Sequence, residues 1–126
     1  MHALFVDDEV EFLQLMEKRL SRRGMTIVTA PDGQSALDIV TEAMKQPETM
    51  FQVVVMDVHM PGMDGLETLR HMKKLAPQLP VLLLTGHASL GVAVQGMDLG
   101  AYDYMLKPVA INELIIKMEE AVRAAA

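Results

Sequence analysis

Residues 53–65 read VVVMDVHMPGMDG, and this stretch decides the fold. Its first half belongs to an expected strand over residues 52–56, where Val53, Val54, Val55 and Met56 run without polar alternation. A strand apolar on both faces fits a parallel sheet covered by helices on each side. The run stops at Asp57, and Pro61, Gly62 and Gly65 then mark a loop before the next helical pattern.

Working outward, the same unit recurs from end to end. Further strands are predicted at residues 3–6, 26–30, 81–84 and 102–106, each followed by an amphipathic helix, so five strand-helix pairs give an α/β, (βα)5 three-layer arrangement. The first helix, about residues 10–23, has Val10, Leu13, Met16 and Leu20 on one stripe and ends at Gly24. The second follows Asp32 as N-cap, turns Ala36, Leu37, Val40 and Met44 inward, and stops before Pro47. In the third, Asp64 and Glu67 have capping-box spacing, and Leu66, Leu69 and Leu75 form the apolar face. The fourth, about residues 89–99, carries Gly91 and Gly96, each costing about 1 kcal/mol against Ala, and is expected to be the least stable. The fifth starts near Ile111 and turns Leu114, Ile115, Met118 and Val122 inward. No repeat or linker interrupts the pattern, so residues 1–126 are expected to form one domain.

Composition narrows the function. A chain of 126 residues with 51% hydrophobic and 22% charged residues can bury one core and is not disordered. No apolar run approaches the roughly 18 residues of a bilayer span, and acidic Asp7, Asp8 and Glu9 stand where a secretory leader would be basic and then apolar. Without Cys, the chain needs no oxidising compartment, and cytoplasm is expected. A net charge of -6 disfavours direct nucleic-acid binding, which draws on clustered Lys and Arg. The twelve Met are read mainly as core filler.

In an open parallel sheet, ligands gather at the carboxyl ends of the strands. There the sequence places Asp7 and Asp8 in FVDDE, Asp57, Thr85 in LLLTGHA and Lys107 in DYMLKPV. Singly, an Asp pair is a capping loop, Thr85 a turn hydroxyl and Lys107 a solvated loop residue. Together, at the ends of four strands, they describe one crevice. Three carboxylates crowded in a partly dry crevice call for a cation. Mg2+ suits, because it takes oxygen ligands and is commonly held by one or two carboxylates plus phosphate. A carboxylate beside a cation, an ammonium and a hydroxyl is arranged for phosphoryl transfer, with Asp57 as nucleophile.

The motifs FVDDE, MDVHMPGMDG, LLLTGHA and GAYDYMLKP, in this order and spacing, resemble the receiver domain of bacterial two-component response regulators. The resemblance implies a flavodoxin-like fold with strand order 2-1-3-4-5. It implies that Asp57 accepts phosphate from the phosphohistidine of a sensor histidine kinase or phosphotransfer protein. Asp8, Asp57 and the backbone carbonyl of His59 would bind Mg2+ directly, and Asp7 mostly through water. Lys107 would pair with the phosphate, Thr85 would swing onto a phosphoryl oxygen, and the switch aromatic Tyr104 would rotate inward behind it. The face made by the fourth helix, fifth strand and fifth helix would carry the signal to a partner, a second copy or an output domain. A cis peptide before Pro108 is also implied. The TGHA and GAYDYMLKP segments resemble those of receivers attached to DNA-binding or ATPase modules, so a receiver of a transcriptional regulator is expected, with Ala124 to Ala126 as the start of a linker.

The chain departs from the family's common pattern at Val109, where Phe is frequent, and at Ala110, where an acidic cap is frequent. His59 and His87 each lie two residues beyond a site residue, at positions that tune phosphate lifetime in the family; as plain exposed loop imidazoles they would do nothing. Three rivals remain in view. A flavodoxin-like cofactor binder lacks the Gly- or hydroxyl-rich loop after the first strand, and Asp7 and Asp8 would repel a flavin phosphate. A haloacid-dehalogenase-type phosphatase would have Asp where His59 stands. A phosphorylation-independent pseudo-receiver would not be expected to keep Asp7, Asp8, Asp57, Thr85 and Lys107 together. The expected protein is a switch acting on itself, not a conventional enzyme.

Overall fold

A computed structural model describes residues 1–60 and 62–126, the side chain of His87 excepted. Five parallel strands, β1 (His2–Val6), β2 (Thr26–Ala30), β3 (Val53–Asp57), β4 (Val81–Thr85) and β5 (Asp103–Leu106), form one sheet in the order β2-β1-β3-β4-β5. The helices are α1 (Val10–Ser21), α2 (Gly33–Ala43), α3 (Gly65–Leu75), α4 (Leu90–Asp98) and α5 (Ile111–Ala125). The order reverses at β1 and β3, which puts the ends of these two strands side by side.

The sheet is sealed on both faces, as its unbroken apolar runs require. Ala3, Phe5, Val53, Val55, Leu82 and Leu84 face Leu13, Met16 and Leu20 of α1 and Leu114, Met118 and Ala121 of α5. Leu4, Val6, Val54, Met56 and Leu83 pack with Ala36 and Val40 of α2, Leu69 and Met72 of α3, and Ala93 of α4. Burying each of the larger aliphatic side chains contributes about 1.5–3 kcal/mol. Met16, Met56, Met60, Met72 and Met118 are buried, in keeping with thioethers as filler.

The two expected Asp N-caps are present, although at Asp64 only the half of the capping box in which Asp64 accepts is formed among the described residues. The Asp32 side chain accepts from the Ser35 N–H at 2.8 Å, and Asp64 accepts from the Glu67 N–H at 2.8 Å. Gly96 has a packing reason: a Cβ there would collide with Leu83, so α4 approaches β4 through a bare backbone. Gly91 faces open space. Of the nine residues of α4, Ala93 and Gly96 are buried.

Several expectations need correction. Val10 is 57% exposed and Met44 43% exposed, so neither joins the core. Each sits at a helix end, where the stripe has already turned past the sheet. Ala43 and Ile39 do the packing expected of Met44. On α3, Met72 and Thr68 are buried, whereas Leu66 and Leu75 are half-buried. The first helix stops at Ser21, and single 3-10 turns occur at Pro47–Thr49 and His87–Ser89. The strands β3 and β4 run one residue further than expected, so Asp57 and Thr85 are their last residues and are pinned by the sheet.

Candidate functional site

Asp57 ends β3, hydrogen-bonded in register beside Leu84 of β4. The chain leaving it is tied down. Val58 N–H donates to Leu84 O at 3.1 Å, and Gly65 N–H donates back to Val58 O at 3.1 Å. Gly65 must be glycine, because a Cβ there would collide with Val58 Cα and lie 2.9 Å from the Asp57 carbonyl oxygen. These contacts hold the start of α3 close against the backbone that leaves Asp57. The His59 N–H donates to Asp57 Oδ1 at 3.2 Å.

Asp7 and Asp8 follow β1. Asp7 is 1% exposed, and its N–H donates to Ala30 O at 3.1 Å, so β2 fixes its backbone. Asp8 is exposed. One oxygen from each of Asp7, Asp8 and Asp57 lies within 4.8 Å of the others. Oxygens bound to one octahedral Mg2+ lie at most about 4.2 Å apart, twice a bond length of about 2.1 Å. The carboxylates thus need only a small closure to share an ion.

Lys107 arrives from β5, its N–H donating to Thr85 O at 2.8 Å. Its Nζ lies 2.6 Å from Asp7 Oδ2, 3.1 Å from Glu9 Oε1 and 3.7 Å from Asp57 Oδ2. It also stands 4.5 Å from the centre of the Phe12 ring. The Lys107–Pro108 peptide is cis, as the resemblance implies. Lys107 is shared among Asp7, Asp57 and Glu9, so carboxylates outnumber ammonium here, an excess that a divalent cation would offset.

The electrostatics agree. Burial pushes the Asp57 carboxyl above its ordinary range, against the His59 N–H and Lys107, which pull it down. Burial likewise raises Asp7, opposed by its Lys107 hydrogen bond. Burial acts against the Lys107 ammonium, but Asp7, Asp57 and Glu9 outweigh it and push its pKa up. Burial therefore works against full ionisation of Asp7 and Asp57, and a nearby cation would favour it.

Thr85 is fully buried, and its hydroxyl donates to Gly86 O at 3.0 Å. Tyr104 on β5 is half-buried and packs partly against the α2-α3-α4 side of the core, in register with Leu83. The structure thus brings Asp7, Asp8, Asp57, Lys107 and the His59 N–H together, while Thr85 is joined to Lys107 through its backbone carbonyl and keeps its hydroxyl on Gly86 O. The imidazole of His59 is on the exposed loop, and the side chain of His87 lies outside the described residues. Sequence reading passed over Glu9 and Phe12. No local signal marks them, because they meet Lys107 only where the fold brings the start of α1 to the end of β5.

Residues 3–119 match the response regulator receiver domain family, and the chain belongs to that family. Response regulator MprA of Mycolicibacterium vanbaalenii is 38% identical over 98% of this chain and 51% of its own length. The DNA-binding transcriptional regulator NtrC of Klebsiella pneumoniae is 36% identical over 95% of this chain and 24% of its own. Among solved structures, a response regulator receiver domain protein from Clostridium thermocellum superposes with a TM-score of 0.89 at 34% identity, covering 98% of this chain and 94% of its own. The receiver domain of NtrX from Brucella abortus gives 0.86 at 35% identity, covering 96% and 98%. This chain spans about half the length of curated relatives such as MprA, or less. Receiver domains are signalling modules that generally use Mg2+ at an acidic pocket, and they are not classical enzymes.

Proposed function

We propose that Asp57 accepts a phosphoryl group from the phosphohistidine of a sensor histidine kinase or phosphotransfer protein, and that this biases the face formed by α4, β5 and α5. The observation that carries the reading is the single ammonium of Lys107 facing Asp7 and Asp57 beside Asp8. Asp8, Asp57 and the His59 carbonyl would hold Mg2+, and Asp7 would act mostly through water. When bound, the ion supplies positive charge to the phosphoryl oxygens and the crowded carboxylates.

In the transfer, an Asp57 oxygen attacks phosphorus and the P–N bond of the donor breaks. The electron pair returns to the imidazole, which takes up a proton, and an aspartyl phosphate results. Lys107 moves onto the phosphoryl oxygens. Thr85 gives up Gly86 O for one of them, and Tyr104 turns into the space released. The added double charge selects between two packings a few kcal/mol apart. The short α4, with Ala93 and Gly96 as its buried residues, is the element that shifts in this reading. His59 and His87, each two residues beyond a site residue in the sequence, tune phosphate lifetime in this reading.

Residues 1–126 act as one receiver domain, working in the cytoplasm and signalling through a partner, a second copy or an output domain. Relatives named as transcriptional regulators favour a transcriptional output. The chain's own charge of -6 argues that this unit does not itself touch nucleic acid, and among the described residues no helix is long and apolar enough to cross a membrane. Incubation with acetyl phosphate and Mg2+ should add the mass of one phosphate to the protein and none to Asp57→Asn. Equal uptake by the variant overturns the assignment.

A further inference from the structure

Glu9 is the N-cap residue of α1, yet its side chain makes no capping hydrogen bond. Capping positions favour Ser, Thr, Asp or Asn, whose short side chains reach the first-turn N–H groups. Glu9 is longer and turns elsewhere: its Oε1 lies 3.1 Å from Lys107 Nζ, although Glu9 is 63% exposed. Its backbone is fixed by an N–H donated to Asp7 Oδ1 at 3.0 Å. One helical turn on, Phe12 presents its ring to the same ammonium at 4.5 Å. The start of α1 thus gives Lys107 two contacts besides Asp7, while Asp57 remains the more distant carboxylate at 3.7 Å.

We propose that Glu9 is a positioning residue that holds the Lys107 ammonium toward α1 before phosphorylation, with Phe12 as its shelf, so that Lys107 must leave Glu9 to reach a phosphoryl group on Asp57. The inference rests on the reading of Asp57 as acceptor. Glu9 touches neither donor nor phosphoryl group; it acts through Lys107. Because the pair is exposed, its hold is modest and screened by salt.

Glu9→Gln removes the charge without disturbing a cap. At low ionic strength, phosphorylation by acetyl phosphate with Mg2+ should run about two- to fivefold faster than in the parent. The two should converge near 1 M salt, where the Debye length is about 3 Å. Glu9→Asp separates a specific hold from a general field. Its carboxylate is one methylene shorter and suited to turn onto the helix N–H groups, so it should react like Glu9→Gln. Equal rates for Glu9→Gln and parent, or a parent-like rate for Glu9→Asp, overturn the proposal.

A second measurement needs neither donor nor metal. Water exchange of the Lys107 Nζ protons, followed by nitrogen-15 NMR, should be faster in Glu9→Gln, and unchanged exchange overturns the hold directly. If none of the proteins gains phosphate, the role of Asp57 fails, whereas ammonium exchange still decides whether Glu9 holds Lys107.

Discussion

The Lys107 ammonium lies 2.6 Å from Asp7 Oδ2 across 100 positions of sequence, and this contact closes the acidic pocket from the β5 side. Asp7 is buried and Lys107 half-buried. An ion pair of this kind matters most when half of it is removed, since the remaining charge is stranded.

Lys107→Met should therefore lose about 3 kcal/mol of stability in chelator. Urea unfolding at pH 7 with and without Mg2+ checks this. The variant should recover more stability on adding Mg2+ than the parent does, because a cation then takes over the missing charge. Equal recovery would separate Lys107 from the carboxylate cluster.

Asp57→Asn should be more stable than the parent at pH 7 without divalent cations. Burial raises the Asp57 carboxyl above its ordinary value, so the folded state binds that proton more tightly than the unfolded chain. For a raised carboxyl, stability falls as pH rises from the unfolded pKa through the folded one, and the penalty is complete above both. Asparagine carries no such penalty. The advantage at pH 7 should shrink as pH drops through the raised pKa, and about 4 °C of Tm corresponds to each kcal/mol. Thermal melts in chelator at several pH values test the sign.

Asp8 is the exposed member of the cluster, and its side chain has no protein partner among the hydrogen bonds and ion pairs of the described residues. Asp8→Asn should leave stability in chelator within about 0.5 kcal/mol of the parent. Mg2+ at 100 times its dissociation constant would stabilise the parent by about 2.7 kcal/mol. Most of that increment should vanish in the variant. A full Mg2+ effect in Asp8→Asn would place the ion elsewhere.

The sequence revealed sheet and site where one physical cause dominated. Unbroken apolar runs such as Val53 to Met56 demand cover on both faces, and Asp7, Asp8, Asp57, Thr85 and Lys107 stand where those runs end. Strand order came from family resemblance, since periodicity carries no order. Helix ends were harder: Val10 and Met44 keep the apolar spacing but lie beyond the reach of the sheet. Glu9 and Phe12 stayed hidden because their partner, Lys107, comes from the other end of the chain. No local pattern encodes a contact made by tertiary closure.

Gly65 and Gly86 offer a paired test of how the backbone aims Asp57. A Cβ at Gly65 would lie 2.8 Å from Val58 O and 2.9 Å from Asp57 O, both main-chain atoms with little room to give. Gly86 has open space around that position. Gly65→Ala should cost about 1–3 kcal/mol by overpacking, and because it pushes on the residue that ends β3, it should also slow phosphate uptake from acetyl phosphate. Gly86→Ala should stay within about 0.5 kcal/mol of the parent. Urea unfolding and uptake rates on the two variants check both claims. A Gly65→Ala protein that loses stability yet takes up phosphate at the parent rate would show that the Val58–Gly65 clamp holds α3 without orienting the Asp57 carboxylate.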